Sequence, residues 1–135
     1  MPPPMAIPRC RLAVVGAGPL VGRTHCTLIK NMKDLELACI CQRRTDDTEV
    51  AKSLGVPLYT DAKEMMLKEQ LDGVVIAVPT HMHLAIADAR VEGAKLRQAA
   101  GCPGTLKALL IEKPICQDLA SALKLLDITE SAGVS

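Results

Sequence analysis

The chain contains no phenylalanine, no tryptophan and a single tyrosine, Tyr59, in 135 residues. A core without rings must rest on Leu, Val, Ile, Ala and Met, and an apolar content of 49 % supplies them. Single-stranded bases find no aromatic platform, and a net charge of +1 leaves no basic footprint for a phosphate backbone. Nucleic acid is therefore not an expected partner. No apolar run approaches the roughly 18 residues that span a bilayer, so no membrane is expected either. The opening MPPPMAIPR is too rich in proline and too short in apolar sequence for a secretory signal. Residues 1–9 read as a disordered tail on a cytoplasmic protein. No C-x-x-C pair occurs among Cys10, Cys26, Cys39, Cys41, Cys102 and Cys116. Cys39 and Cys41 would be neighbours on one face of a strand, where they cannot close a normal disulfide. All six read as small reduced thiols.

What is present is an alternation. The length suits one domain with a real core. Leu12 to Val15 is a short apolar run ending in glycine, and residues 19–30 read as the helix after it. LELACIC (35–41) is a second strand, followed by a helix over 48–54 that stops at Gly55. VPLYT (56–60) is a short strand, and Asp61 caps a helix running to about Lys68. GVVIAV (73–78) is the clearest buried strand; after Pro79, Thr80 is placed to cap a helix over 81–92 that stops at Gly93. LRQAAGCPGTLK (96–107) reads as an inserted surface loop, ALLIE (108–112) as a strand, and Asp118 as the start of a last amphipathic helix. Strands that are continuous apolar runs, alternating with helices, predict a parallel sheet covered on both faces. The fold class is α/β: a doubly wound, Rossmann-like parallel sheet, incomplete at its C-terminal edge.

The first strand leads into GAGPLVGRTH, with glycines at 16, 18 and 22. In a dinucleotide-binding turn the first glycine permits the turn and the second admits a pyrophosphate. The third lets helix and strand pack closely. Gly16 and Gly18 meet the first two needs; the third falls one position late, at Gly22, with Leu20 and Val21 before it. Free amides and the helix dipole favour an anion here, although Pro19 removes one donor. A tight strand–helix connection without a ligand has the same outline.

An acidic residue that holds the ribose 2′-hydroxyl is expected about 20 positions further on. That count arrives at Gln42, followed by Arg43 and Arg44. A neutral amide beside two guanidiniums tolerates and pairs with a 2′-phosphate. NADP(H) is favoured over NAD(H) on that basis, the alternative being two solvated arginines at a strand end.

ALLIEKPI places Glu112, Lys113 and Pro114 directly after a buried strand, where ligands bind in such sheets. With GRTH (22–25), VVIAVPTHMH (74–83) and EGAK (92–95), this order of motifs resembles the N-terminal domain of the Gfo/Idh/MocA oxidoreductases. The resemblance covers about residues 10–134 and brings GRTH into register only if the glycine turn holds one extra residue. It departs from the family at Thr80, where Asn is common, and at the insertion. It implies a dinucleotide-binding domain over 10–135 that transfers hydride between the cofactor and a sugar, polyol or related substrate. Lys113 is then the catalytic residue, oriented by Glu112, and Pro114 is a candidate for a cis peptide. A lysine desolvated between cofactor and substrate has its charged form disfavoured. Pro79, Thr80 and His83 are carried over to the cofactor site. A metal is not expected at His25, His81 and His83, because H-x-H on a helix points the rings apart.

The family's second, substrate-binding domain has no counterpart in these residues, nor has a sixth strand. A small-molecule substrate is expected only if a second domain is supplied, and an open sheet edge would favour a homo-oligomer. A stand-alone nucleotide-binding regulatory module and a Rossmann-like interaction domain without cofactor are the alternative readings.

Overall fold

The computed structural model describes residues 1–5, 7–18, 21–43 and 48–135; Leu20 and Arg44, expected at the cofactor site, lie outside them. Five strands form one parallel sheet: β1 (Cys10–Val15), β2 (Leu35–Cys41), β3 (Leu58–Tyr59), β4 (Gly73–Ile76) and β5 (Ala108–Ile111). Five helices connect them: α1 (Val21–Asn31), α2 (Thr48–Leu54), α3 (Ala62–Lys68), α4 (His83–Ala99) and α5 (Leu119–Ala132). The strand order is β3-β2-β1-β4-β5, so the direction of winding reverses between β1 and β4. The Rossmann-like α/β class follows from this order.

Each face of the sheet has its own apolar core. Val14, Ile40 and Val75 pack with Cys26 and Ile29 of α1. Ala13, Val15, Cys39, Val74 and Ile76 pack with Met65 and Met66 of α3, Ala87 of α4 and Leu125 of α5. β4 is buried at every residue, as its unbroken apolar run predicts. β5 is not: Ala108 and Leu110 are exposed while Leu109 and Ile111 are half-buried, so its second face is uncovered. Beyond β5, the Ser135 amide donates to the Lys107 carbonyl at 2.9 Å and the Leu109 amide donates to the Ser135 carbonyl at 2.8 Å. Those two bonds are the alternation of a parallel ladder.

Local signals placed several ends correctly. Asp61 accepts from the amides of Lys63 and Glu64 at the start of α3, and Asp118 accepts from the Ser121 amide at the start of α5. Gly55, at φ +69°, follows α2 as a left-handed terminator. All six cysteines are free. Burial pushes the Cys26 thiol up to about 11 and the Cys39 thiol up to about 12, which leaves both unreactive. Residues 1–5 and 7–9 are exposed and carry no helix or strand. Arg9, in that expected tail, donates to the Leu35 carbonyl at 3.1 Å.

Two expectations fail around α4. Thr80 does not cap the helix; it opens a short 3₁₀ turn (Thr80–Met82), and α4 starts at His83 without a side-chain cap. Gly93 does not stop the helix, which runs on to Ala99. A Cβ at Gly93 would lie 2.7 Å from the Cβ of Met66, so glycine is there to let α4 approach α3. The segment 96–107 is therefore not all surface loop. Its first residues are helical, and Arg97 donates to the carbonyls of Leu67 at 2.7 Å and Pro103 at 2.9 Å. Leu106 enters the core.

Candidate cofactor site

The carboxyl ends of β1 and β4 lie at the reversal point, and the connections that leave them must diverge. Gly16 takes φ +84°, and a Cβ there would meet the Ala77 carbonyl oxygen at 2.6 Å. Only glycine lets the turn after β1 pass this close to the turn after β4. Gly22 is tighter still: a Cβ would lie 1.9 Å from the Gly16 carbonyl oxygen and 2.8 Å from the Ala17 Cα. Gly22 is buried and Val21 is exposed, so the helix approaches the turn through Gly22. The Arg23 amide donates to the Gly18 carbonyl at 3.1 Å, five residues back rather than four. The turn thus holds one residue more than G-x-G-x-x-G. Gly18 differs from Gly16 and Gly22: among the described residues nothing lies within 4 Å of where its Cβ would be.

A cavity of about 580 Å³ opens at this point. Gly16, Gly18, Gln42, Arg43 and Pro79 of the expected residues line it. Val21, Gly22, Thr80, His83, Glu112, Lys113 and Pro114 do not, and no carboxylate does among the described residues. Several lining residues had no signal of their own in the sequence. Val78 precedes Pro79, while Met82, Ile86, Ala89 and Arg90 sit on or before α4 and read only as helix residues. The α4 positions are recoverable from their three-and-four spacing once the helix is known to border a cleft.

Gln42 continues the ladder at the end of β2, its amide donating to the Tyr59 carbonyl at 2.9 Å. Its side chain is buried, and Oε1 has no hydrogen-bond partner. Arg43, next to it, is exposed.

The motif after β5 is tied to the glycine-turn helix. His25 of α1 and Glu112 meet at 2.6 Å through Nε2 and Oε1. The Glu112 amide also extends the sheet, donating to the Ile76 carbonyl at 3.1 Å. The Lys113–Pro114 peptide is cis, and Lys113 is exposed. His83 is buried, with Nδ1 at 2.9 Å from the Ile115 carbonyl oxygen and Nε2 at 2.9 Å from the Val78 carbonyl oxygen. It links the segment after Pro114 to the connection that follows β4. Among the described residues no cluster of His, Cys, Asp and Glu could hold a metal ion, and no helix is long and apolar enough to cross a membrane.

The His25 contact holds the Glu112 carboxyl below its ordinary 4.5. A depressed folded value means that the contribution is fully present above the unfolded value and is lost as pH falls through the folded one. The melting temperature of the native protein is therefore expected to fall on acidification below about pH 4.5, and His25→Ala to flatten part of that slope. Superimposable acid-side profiles for the two proteins would show that the pair contributes nothing to it.

The comparisons agree with this geometry. The family model described as "Oxidoreductase family, NAD-binding Rossmann fold" matches residues 10–135. The chain is 27 % identical over 126 residues to the 4-carboxy-2-hydroxymuconate-6-semialdehyde dehydrogenase of Sphingobium sp. (strain NBRC 103272 / SYK-6), covering 92 % of this chain and 36 % of that one. A probable dehydrogenase from Thermotoga maritima superimposes with a TM-score of 0.76 at 26 % identity, over 92 % of this chain and 34 % of that one. GenD2 from gentamicin A biosynthesis, solved in complex with NAD, shares the fold with a TM-score of 0.78 at 23 % identity, over 95 % and 33 % of the two chains. The chain spans about a third of the length of these proteins. With the glycine turn, the reversal point and the Glu-Lys-Pro crossover all in place, the chain belongs to the Gfo/Idh/MocA oxidoreductases as their NAD-binding Rossmann domain.

Proposed function

We propose that this domain binds NADP(H) in preference to NAD(H) and serves an oxidoreductase that passes hydride between that cofactor and the hydroxyl or carbonyl carbon of a small substrate. The cavity carries this reading. Its volume of about 580 Å³ falls in the range of small-ligand sites, and it opens where strand order reverses. The cofactor would supply the hydride or take it up. Gly16 and Gly18 would leave backbone room for its diphosphate, and the dipole of α1 would favour the anion.

The preference for the phosphorylated cofactor rests on charge. No carboxylate among the described residues lines the cavity to repel a 2′-phosphate, and Arg43 lines it. Lys113 would work at the far end of the cofactor, moving or orienting a proton at the substrate oxygen, with Glu112 held by His25 beside it. The substrate would come to it from a second domain, in line with the third of the relatives' length that this chain spans.

Thermal unfolding with each cofactor tests the reading. A ligand at 100 times its dissociation constant adds about 2.7 kcal/mol to stability. NADPH is expected to raise the melting temperature more than NADH does at equal concentration. Arg43→Ala should weaken NADPH by roughly tenfold, the scale of one charge-assisted hydrogen bond, and NADH by much less. Equal losses for the two cofactors would remove the phosphate assignment; no stabilisation by either would remove the cofactor reading.

A further inference from the structure

The turn that carries Lys113 is held through its backbone on both sides. Before it, the Glu112 amide donates to the Ile76 carbonyl at 3.1 Å. After it, the Ile115 carbonyl oxygen lies 2.9 Å from Nδ1 of the buried His83. The contact between His25 Nε2 and Glu112 Oε1, at 2.6 Å, is a third tie of another kind. What it adds is the direction of a carboxylate.

That direction matters because of the next residue. An ammonium one position along the chain is an ordinary counter-ion for a carboxylate near the surface. Yet Lys113 makes no ion pair among the described residues. The Glu112 carboxyl is held below its ordinary 4.5 first by the His25 hydrogen bond, and the Lys113 amide and charge pull the same way with smaller effect. The carboxylate thus lies in the field of the ammonium but is bonded to the ring. His25 stands on α1, three residues past Gly22, and is half-buried, whereas Lys113 is exposed. Of the two partners open to Glu112, the ring is the better shielded from water and salt.

We propose that His25 is a positioning residue for Lys113: by holding the Glu112 carboxylate on the α1 side, it keeps the Lys113 ammonium unpaired. An N–H already given to a carboxylate is not free to donate to a substrate oxygen, and the pairing opposes loss of the proton. The lysine can do either only while its neighbour is engaged elsewhere. α1 then serves both ends of the site. Gly22 lets its first turn close on the glycine loop, and His25, a turn later, clears the lysine. The inference rests on the role given to Lys113 above, but it concerns a property of the amine that can be measured without turnover.

The test labels the whole chain with a limiting amount of acetic anhydride. Mass spectrometry reads the rate at Lys113 relative to Lys124, an exposed lysine of α5 that makes no ion pair among the described residues. Only the neutral amine reacts, so an ammonium that gains a carboxylate partner is labelled more slowly. His25→Ala is expected to slow Lys113 roughly two- to fivefold, the scale of one exposed ion pair. His25→Ala/Glu112→Gln should restore the native rate. A merely structural role for His25 gives a different pattern: a loosened turn leaves the labelling unchanged or speeds it, whatever stands at 112. Glu112→Gln alone should change the rate by less than about twofold, since the carboxylate is already turned away. That single variant decides the matter if His25→Ala does not fold. A rate in His25→Ala at or above the native one overturns this inference and leaves the cofactor reading standing. So does slowing that survives Glu112→Gln, or a larger acceleration in Glu112→Gln alone. Should labelling come out as expected while Lys113→Ala, joined to a substrate-binding half, transfers hydride at the native rate, the role of the lysine fails and the inference with it.

Discussion

Gly22→Ala is expected to cost at least about 4 kcal/mol of stability, a large share of the roughly 5–15 kcal/mol that a domain commonly has. The added methyl carbon would lie 1.9 Å from the Gly16 carbonyl oxygen and 2.8 Å from the Ala17 Cα. Both neighbours are backbone, and the Gly16 amide is itself bound to the Cys41 carbonyl at 3.0 Å. Relief would require α1 to leave the sheet, exposing Cys26 and Ile29. Gly18→Ala, four positions earlier in the same turn, supplies the control. Open space surrounds its site, so the apo protein should be as stable as before or gain a few tenths of a kcal/mol from a stiffer unfolded chain. Its cost should appear in cofactor affinity, as a loss of tenfold or more, because the methyl group would occupy room the diphosphate needs. Urea unfolding and cofactor titration of the two variants measure both halves of the contrast. Equal stability losses would show that the turn can shift, and undiminished binding in Gly18→Ala would put the phosphates elsewhere.

Lys113→Ala is expected to lower hydride transfer by about 10² to 10⁴ when the domain is joined to a substrate-binding half, the range that a positioned acid–base group contributes. Cofactor affinity should change little, since Lys113 does not line the cavity. Stability should hold as well, because Lys113 is exposed and makes no ion pair among the described residues. A turnover number reduced with an unchanged dissociation constant for NADPH is thus the expected signature. A fall in binding without a fall in turnover would assign the lysine to holding the cofactor instead. His25→Ala offers a graded comparison, as it removes only the contact that holds Glu112 beside that lysine.

Much of the fold was legible because its signals are local. The apolar runs 37–41 of β2 and 73–76 of β4, the capping aspartates Asp61 and Asp118, and Gly55 each act within a few residues of their place in the chain. Gly93 misled for the complementary reason. A glycine that ends a helix and one that admits a neighbouring helix look alike in sequence, and only Met66 on α3 tells them apart. Thr80 misled similarly, since a threonine after proline suits a cap or a 3₁₀ turn equally well. At the site, residues announced by a motif, such as Gly16, Gly18 and Pro79, were found in the cavity wall. Met82, Ile86 and Arg90 were not anticipated, because a helix residue acquires a ligand-facing role only from what packs opposite it.

The order of strands and helices, the parallel sheet and the glycine turn with its extra residue were determined by sequence alone, because periodicity, caps and turn glycines act over short stretches of chain. Which polar groups are left without partners, how α4 closes on α3, and that His25 meets Glu112 across 87 positions of sequence were decided only by the tertiary structure. Burial and hydrogen bonding between distant segments depend on where the crossovers bring them together. No window of neighbouring residues encodes that distance.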